Sequence, residues 1–300
     1  MNKVLSGKEV AASIYEKLQG KVNGLKVVII TIGDDDASKV YVRNKMKACE
    51  KVGFVAENIR FNPIDFKYKS ELAVAVKSTI ASLNSDEDVV GIIVQKPYPE
   101  YLKMYGIEYS INPIKDVDGL APNNMSQTLL GRRLYHYPAT PQGIMIMLKY
   151  YNIPVAGKNV VVIGRSEIVG RPMATMLDAA NATVTVCHSK TSNLREYTRM
   201  ADIIIVAVGK PKFIDSTYIT DEYHNIKGEL CKKSIKFPTI IDVGMNRDEN
   251  RKLCGDVDFD DVLPYVSNIT TVPGGVGVVT VASFVLNCYN AFMDSFKSGL

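Results

Sequence analysis

Three hundred residues are about two domains' worth of chain, and a composition of 46% hydrophobic and 23% charged residues excludes disordered and fibrous architectures. The net charge of +4, from 36 basic against 32 acidic residues, is too mild to call for nucleic acid and is compatible with small anionic ligands. Five cysteines (Cys49, Cys187, Cys231, Cys254, Cys288) without a CxxC pair, and three histidines without HExxH spacing, argue against a disulfide framework and a metal site. No apolar run is expected to reach the roughly 18 residues that span a bilayer, and the opening Met1–Ser6 lacks the apolar core of a secretory signal. The expectation is an intracellular, cytoplasmic protein without membrane or nucleic-acid partners.

Ser6-Gly7-Lys8-Glu9 has the form of a capping box, in which Ser6 takes the N–H three residues on and Glu9 reaches back; a helix to about Leu18 follows. The β-branched run Leu25–Ile32, ended by Gly33, predicts a buried strand. A helix over Ser38–Val52, a short strand near Asn58–Phe61 and a helix over Lys69–Leu83 come next, and Val89–Val94 is a second wholly apolar strand. Strands apolar on both faces that alternate with helices mean a parallel sheet covered by helices. Residues 96–142, richer in Pro, Asn and Gly, read as loops and a short helix leading to a domain junction.

The alternation restarts with strand Asn159–Ile163, helix Val169–Ala180, strand Thr183–Cys187, helix Asn193–Met200, and strands Asp202–Val208 and Thr239–Val243. Between the last two, His224–Lys236 carries four lysines and few apolar residues, and reads as a solvated surface excursion rather than a binding patch. Val272–Gly277 opens a terminal helix, Thr280–Phe296. The fold class expected is α/β, in two domains.

Gly164-Arg165-Ser166-Glu167-Ile168-Val169-Gly170 lies after a buried strand and before a helix, where a dinucleotide fingerprint belongs. The first glycine permits the tight turn, the last lets helix pack close to strand, and the helix N-terminus faces a pyrophosphate. The usual middle glycine is absent, so an ordinary strand-to-helix turn stays open as the alternative. The next strand ends Cys187-His188-Ser189-Lys190-Thr191, without the acid that bonds ribose hydroxyls in an NAD site; with Arg165 this leans toward NADP. Lys190 alone reads equally as an ordinary surface lysine.

In the first half, Tyr41 and Lys45 are spaced i, i+4 and share a helical face with Ser38 and Asn44 nearby. A partly desolvated Lys45 can act as acid or base, whereas a solvated one is inert. Gln95, just past Val94, can bond a ligand, tune a neighbour or satisfy loop backbone. Asp116 and Asp118 can bind the polar edge of a nitrogen heterocycle, coordinate a metal or make Asx-turns. Metal is the weakest of these, since no further ligand cluster accompanies them.

Ser38-Lys39-Val40-Tyr41-Val42-Arg43-Asn44-Lys45, Gly91–Gln95, Lys115-Asp116-Val117-Asp118-Gly119, Pro138–Gly143, Gly164–Pro172 and Val272–Gly277, in this order, resemble the bifunctional methylenetetrahydrofolate dehydrogenase/cyclohydrolase family over nearly the whole chain. The resemblance implies two α/β domains flanking a cleft. Residues 1–137 with 279–300 would form a folate-binding catalytic domain, and 138–278 an NADP-binding Rossmann-type doubly wound parallel sheet. It implies tetrahydrofolate derivatives as substrates, NADP as cofactor, no metal, and a homodimer. Lys45 then resembles the cyclohydrolase acid/base, Tyr41 its neighbour and a pterin-stacking surface, Gln95 the group that keeps Lys45 suitably ionised, and Asp118 the pterin anchor. Gly164, Arg165, Ser166, Ser189, Lys190 and Met245 fall at cofactor contacts, and Gly275 at the border of the folate.

The chain departs from the family pattern around the expected folate site, with Gln95-Lys96-Pro97-Tyr98-Pro99, Leu120-Ala121-Pro122, Ala139 and Val278-Val279. Three rival readings are a monofunctional dehydrogenase, a folate- or nucleotide-binding protein without turnover, and a shikimate-type dehydrogenase. The Lys45–Gln95 pair, the presence of both halves of the site, and Asp118 count against them in turn.

Overall fold

The structure, a computed structural model, describes residues 3–133, 135–224, 230–234 and 236–298. It divides into two compact units, residues 12–139 with 281–300 and residues 1–11 with 140–280. The chain runs through β1 (Lys3–Leu5), α1 (Gly7–Leu18), β2 (Lys26–Ile32), α2 (Asp36–Val52), β3 (Val55–Phe61), α3 (Lys69–Ser85), β4 (Val89–Val94) and α4 (Pro122–Leu129). It continues with α5 (Ala139–Tyr150), β5 (Asn159–Ile163), α6 (Gly170–Ala179), β6 (Thr183–Cys187), α7 (Leu194–Met200), β7 (Ile203–Val206), β8 (Thr220–His224) and β9 (Leu230–Ser234). Last come β10 (Thr239–Asp242), β11 (Asn246–Arg247), β12 (Leu253–Cys254), α8 (Phe259–Val262), β13 (Asn268–Thr270) and α9 (Val276–Ser298).

In the unit of residues 12–139 and 281–300, a parallel sheet runs β3-β2-β4. β4 is buried along its whole length and β2 from Val27 onward, which is what their unbroken apolar runs require in a sheet covered on both faces. Val28, Ile30 and Ile92 pack with Leu72, Val76 and Ile80 of α3 as the core. α2 begins two residues before the expected Ser38, because the Asp35 carboxylate accepts the Ser38 N–H at 2.7 Å as an N-cap. Beside β4 the chain returns as an extra edge: the Ile92 N–H donates to Lys115 O at 2.7 Å. Gly91 makes that approach possible, since a Cβ there would press on the Val117 side chain at 2.9 Å.

The other unit holds a six-stranded sheet of order β1-β13-β10-β7-β5-β6, parallel throughout. Its core gathers Val161, Ile204, Ile240 and Ile269 with Val262 and Val266. β1 and β13, three residues each, are too short to leave a periodic signal, and neither was expected from sequence. Residues up to Ala11, expected with the first domain, group here because β1 pairs with β13, Val4 opposite Ile269. The capping box forms by half: the Glu9 N–H donates to Ser6 Oγ at 3.3 Å, but the Glu9 carboxylate accepts from the Tyr151 hydroxyl, which also accepts the Ser6 N–H.

The expected surface excursion carries an antiparallel ribbon, with β8 pairing β9 and Thr220 opposite Ser234. Its polar, lysine-rich alternation hid the strands; residues 225–229 and 235 of that stretch lie outside the described residues. Contrary to the expectation that no segment reaches bilayer length, Val276–Ser295 of α9 is long and apolar enough, with a mean hydropathy of 1.6. Of that window, 61% is buried within the fold, as in a core helix.

Candidate active site

α2 places Tyr41, Lys45 and Cys49 one turn apart on one face. The Lys45 side chain is 1% exposed, and its Nζ donates to Gln95 Oε1 at 3.3 Å and to Asp118 Oδ1 at 3.4 Å. Two rings flank the same nitrogen, Tyr41 with its centroid at 5.1 Å and Phe284 of α9 at 5.0 Å. Gln95 sits at the carboxyl end of β4, its N–H bonded to Ile30 O at 2.8 Å. Its amide Nε2 donates to Lys96 O at 2.7 Å, which turns Oε1 toward Lys45. Asp118 is the open member, with 22% of its side chain exposed. Lys45, Tyr41, Gln95 and Asp118 thus form one cluster: a cation withdrawn from water, held by one amide and one carboxylate, with solvent access on the carboxylate side.

The Lys115–Gly119 loop divides its three charged residues between scaffold and site. Lys115 Nζ donates to Leu83 O, Asn84 O and Asp86 O at 3.0, 2.8 and 2.8 Å, tying the loop to the end of α3. Asp116 is buried and accepts from the Ala121 N–H at 2.8 Å, the Leu120 N–H at 3.3 Å and Asn124 Nδ2 at 2.9 Å. Burial pushes its pKa up to about 6 against those hydrogen bonds. Of the roles left open from sequence, Asp116 therefore makes the turn, and only Asp118 reaches Lys45. Among the described residues no cluster of three metal-ligating side chains occurs.

Sequence reasoning missed the support from α9. Phe284 lies against Lys45, and Asn287 Nδ2 donates to Val117 O and Tyr137 O, both at 3.0 Å, clamping the two ends of the Asp118 segment. Cys288, one turn beyond Phe284, meets Cys49 in the buried layer behind Lys45, and burial raises its thiol pKa well above the ordinary value. The available signal was Asn287 itself, a polar residue at a buried position of an apolar helix. His136 is also buried: its Nε2 bonds Ile114 O at 2.7 Å, and burial lowers its pKa to about 4.

In the unit containing the six-stranded sheet, strand order reverses at β5, with β6 on one side and β7 on the other, the position where ligands enter open α/β sheets. Gly164, with φ of 123°, leaves β5 against β7: a Cβ there would strike Ala207 O, and one on Gly170 would strike Gly164 O. Both glycines are thus demanded by close packing, as the fingerprint requires. Ser166 Oγ accepts the Val169 and Gly170 N–H groups at 3.2 and 3.4 Å at the start of α6. Arg165, Ser166, Ser189 and Lys190 are exposed on the neighbouring carboxyl ends of β5 and β6, with no acid after β6. That donor set fits a dinucleotide bearing an extra ribose phosphate.

Met245, also exposed, follows β10 on a turn built by two buried acids. Asp242 accepts the Gly244, Asp256 and Val257 N–H groups at 2.9, 3.0 and 3.0 Å, and burial raises its pKa to about 6. Asp256 takes the Val208, Gly209 and Lys210 N–H groups at 2.6, 3.0 and 2.8 Å. Gly275 lies in the β13–α9 loop of this unit, where a Cβ would strike Thr271 O.

Two family models match the chain: tetrahydrofolate dehydrogenase/cyclohydrolase, catalytic domain, over residues 5–118, and tetrahydrofolate dehydrogenase/cyclohydrolase, NAD(P)-binding domain, over residues 138–296. A relative from Lachnoclostridium phytofermentans, named bifunctional protein FolD, is 42% identical over 295 residues, covering 96% of this chain and 97% of that one. The crystal structure of the bifunctional FolD methylenetetrahydrofolate dehydrogenase/cyclohydrolase from Campylobacter jejuni superposes with a TM-score of 0.86 at 39% identity, over 98% of this chain and 100% of that one. The Trypanosoma brucei FolD structure, in complex with NADP cofactor and inhibitor, gives a TM-score of 0.86 at 30% identity, over 99% of both chains.

Proposed function

This chain belongs to the tetrahydrofolate dehydrogenase/cyclohydrolase family, a bifunctional NADP-dependent enzyme of that kind, and we propose that Lys45 is the acid/base of its hydrolytic step. The observation that carries this reading is the withdrawal of the Lys45 ammonium from water between Gln95 Oε1, Asp118 Oδ1 and two aromatic faces. Bound NADP would supply the hydride acceptor for oxidation of methylene-tetrahydrofolate to its resonance-stabilised methenyl cation. That step calls on the protein for orientation rather than for a base. Asp118 anchors the polar edge of the pterin, and Tyr41 offers its ring as a stacking surface.

Hydrolysis makes the heavier demand. Water oxygen bonds to the methenyl carbon and gives up a proton. The bond from that carbon to one ring nitrogen then breaks, the nitrogen takes up a proton, and the remaining hydroxyl proton leaves as the formyl group forms. One proton is released in all. Lys45 Nζ carries the proton from water to the departing nitrogen, and Gln95 holds it in place with an acceptor that carries no charge. In the other unit, Arg165, Ser189 and Lys190 would hold the extra phosphate of NADP, Gly164 and Ser166 would shape the approach to its pyrophosphate, and Met245 would border the cofactor.

Lys45→Met tests the assignment. Decay of added methenyl-tetrahydrofolate should fall to the buffer-catalysed rate, while formation of reduced cofactor from methylene-tetrahydrofolate persists at a lowered level. Full hydrolysis in this variant would remove Lys45 from the mechanism. We further propose that the enzyme is a cytoplasmic homodimer. The open edge strand β6, with Val186 40% exposed, is what supports the pairing of two copies.

A further inference from the structure

The two hydrogen bonds that hold Lys45 are long. An ordinary N–H···O bond lies at about 2.7–3.2 Å, and one between opposite charges at about 2.7–2.9 Å. Nζ lies 3.3 Å from Gln95 Oε1 and 3.4 Å from Asp118 Oδ1, so neither oxygen grips it closely. Two ring faces adjoin the same nitrogen, Tyr41 at 5.1 Å and Phe284 at 5.0 Å. Both fall within the reach of about 6 Å over which an aromatic face attracts a cation, an attraction that grows where water is excluded. Among the described residues, Lys45 and Phe284 are the largest side chains withdrawn almost wholly from water, 1% and 0% exposed.

The two rings differ in what else they can do. Tyr41 is half-buried and keeps surface to offer a ligand, whereas Phe284 has none. The neighbouring buried positions of α9, Val281 and Val285, are filled by aliphatic side chains, so apolar packing along this stretch is met without a ring. From this placement we infer that Phe284 is a positioning residue for hydrolysis: its ring stabilises the charge that Lys45 Nζ carries while it relays the proton from water to the departing nitrogen. The inference rests on the reading of Lys45 as the acid/base. Held by a buried helix turn, the ring needs no reorganisation as charge develops. It attracts that charge without offering the proton a second acceptor.

Replacing Phe284 by phenylalanine analogues bearing one, two and three ring fluorines tests this, because fluorination drains the face of the ring and nearly keeps its shape. The kcat for hydrolysis of methenyl-tetrahydrofolate should fall stepwise, reaching about 2–30-fold at three fluorines, the rate equivalent of one cation–π contact. KM should hold, and formation of reduced cofactor from methylene-tetrahydrofolate should change much less. Phe284→Leu, apolar but without a ring, should lose hydrolysis at least as far. A flat or rising series, or an equal fall in both reactions, would make Phe284 a packing residue and overturn the inference. The same assay on Lys45→Met separates the two readings. Hydrolysis retained there removes Lys45 and Phe284 together, whereas hydrolysis lost there beside a flat series removes Phe284 alone.

Discussion

Single residues around Asp118 bear loads that their chemistry makes measurable. His136 is neutral in the fold, its Nε2 on Ile114 O and its Nδ1 buried with no hydrogen-bond partner among the described residues. Its pKa is lowered to about 4 from an ordinary 6.5, so between those values the unfolded chain binds a proton that the folded chain refuses. Stability from this group is thus fully present above pH 6.5 and is lost as pH falls toward 4. His136→Phe should be less stable than wild type at pH 7, by about 1–3 kcal/mol, because Ile114 O loses its donor. The gap should narrow by about 2 kcal/mol at pH 5, where the variant escapes the proton penalty. Urea unfolding at the two pH values measures both differences, and a pH-independent gap would contradict the assigned neutral state.

Asp116 carries the opposite sign. With its folded pKa raised to about 6, the folded chain holds the proton more tightly, and its contribution to stability falls as pH rises from 4 to 6. At this scale the sequence was legible for the groups that meet at Lys45 and illegible for the groups that support them from α9. Lys45, Tyr41, Gln95 and Asp118 were all named from type and spacing. Phe284, Asn287 and Cys288 lie more than 160 residues beyond Asp118, and nothing local ties the two segments.

Elements with strong patterns were read well, and their glycines show why. The β5–α6 turn keeps Gly164 and Gly170 in contact although the middle glycine of the fingerprint is absent. What the pattern demands here is backbone closeness at its two ends, and Ser166 uses its hydroxyl at the middle to bond the first N–H groups of α6. Gly170→Ala would force its Cβ onto Gly164 O and push α6 off the turn, an overpacking cost of about 1–3 kcal/mol. KM for NADP in the dehydrogenase reaction should rise at least tenfold, while hydrolysis of methenyl-tetrahydrofolate, which uses no NADP, stays near the wild-type rate. Equal loss of both activities would place the damage in the fold rather than in the cofactor site. Among the elements that escaped notice, β1, β8, β9 and β13 are short or polar, and such segments acquire strand structure only from a partner.

For the whole molecule, the sheet order leaves β6 at an open edge, the arrangement that most readily accepts another strand. Light scattering on the purified enzyme should return twice the chain mass, and Val186→Lys should move the protein toward the mass of one chain, since a lysine on an edge opposes strand pairing. A monomeric wild type would refute the dimer. Composition and alternation sufficed for two α/β domains. The assignment of residues 3–11 did not follow from them, because it depends on which strand β1 finds.

That partner gives the ribosome a role in the order of assembly. Lys3 pairs with Asn268, 265 residues later, so at 5–20 residues per second β1 waits roughly 13–50 s for β13 to be made. Throughout that interval α1 is tethered to a strand with an unclaimed hydrogen-bonding edge, and residues 12–139 are complete long before α9 supplies Phe284 and Asn287. The nascent protein therefore carries two unfinished seams, one at each sheet-bearing unit, and the same final stretch of translation, from β13 through α9, closes both.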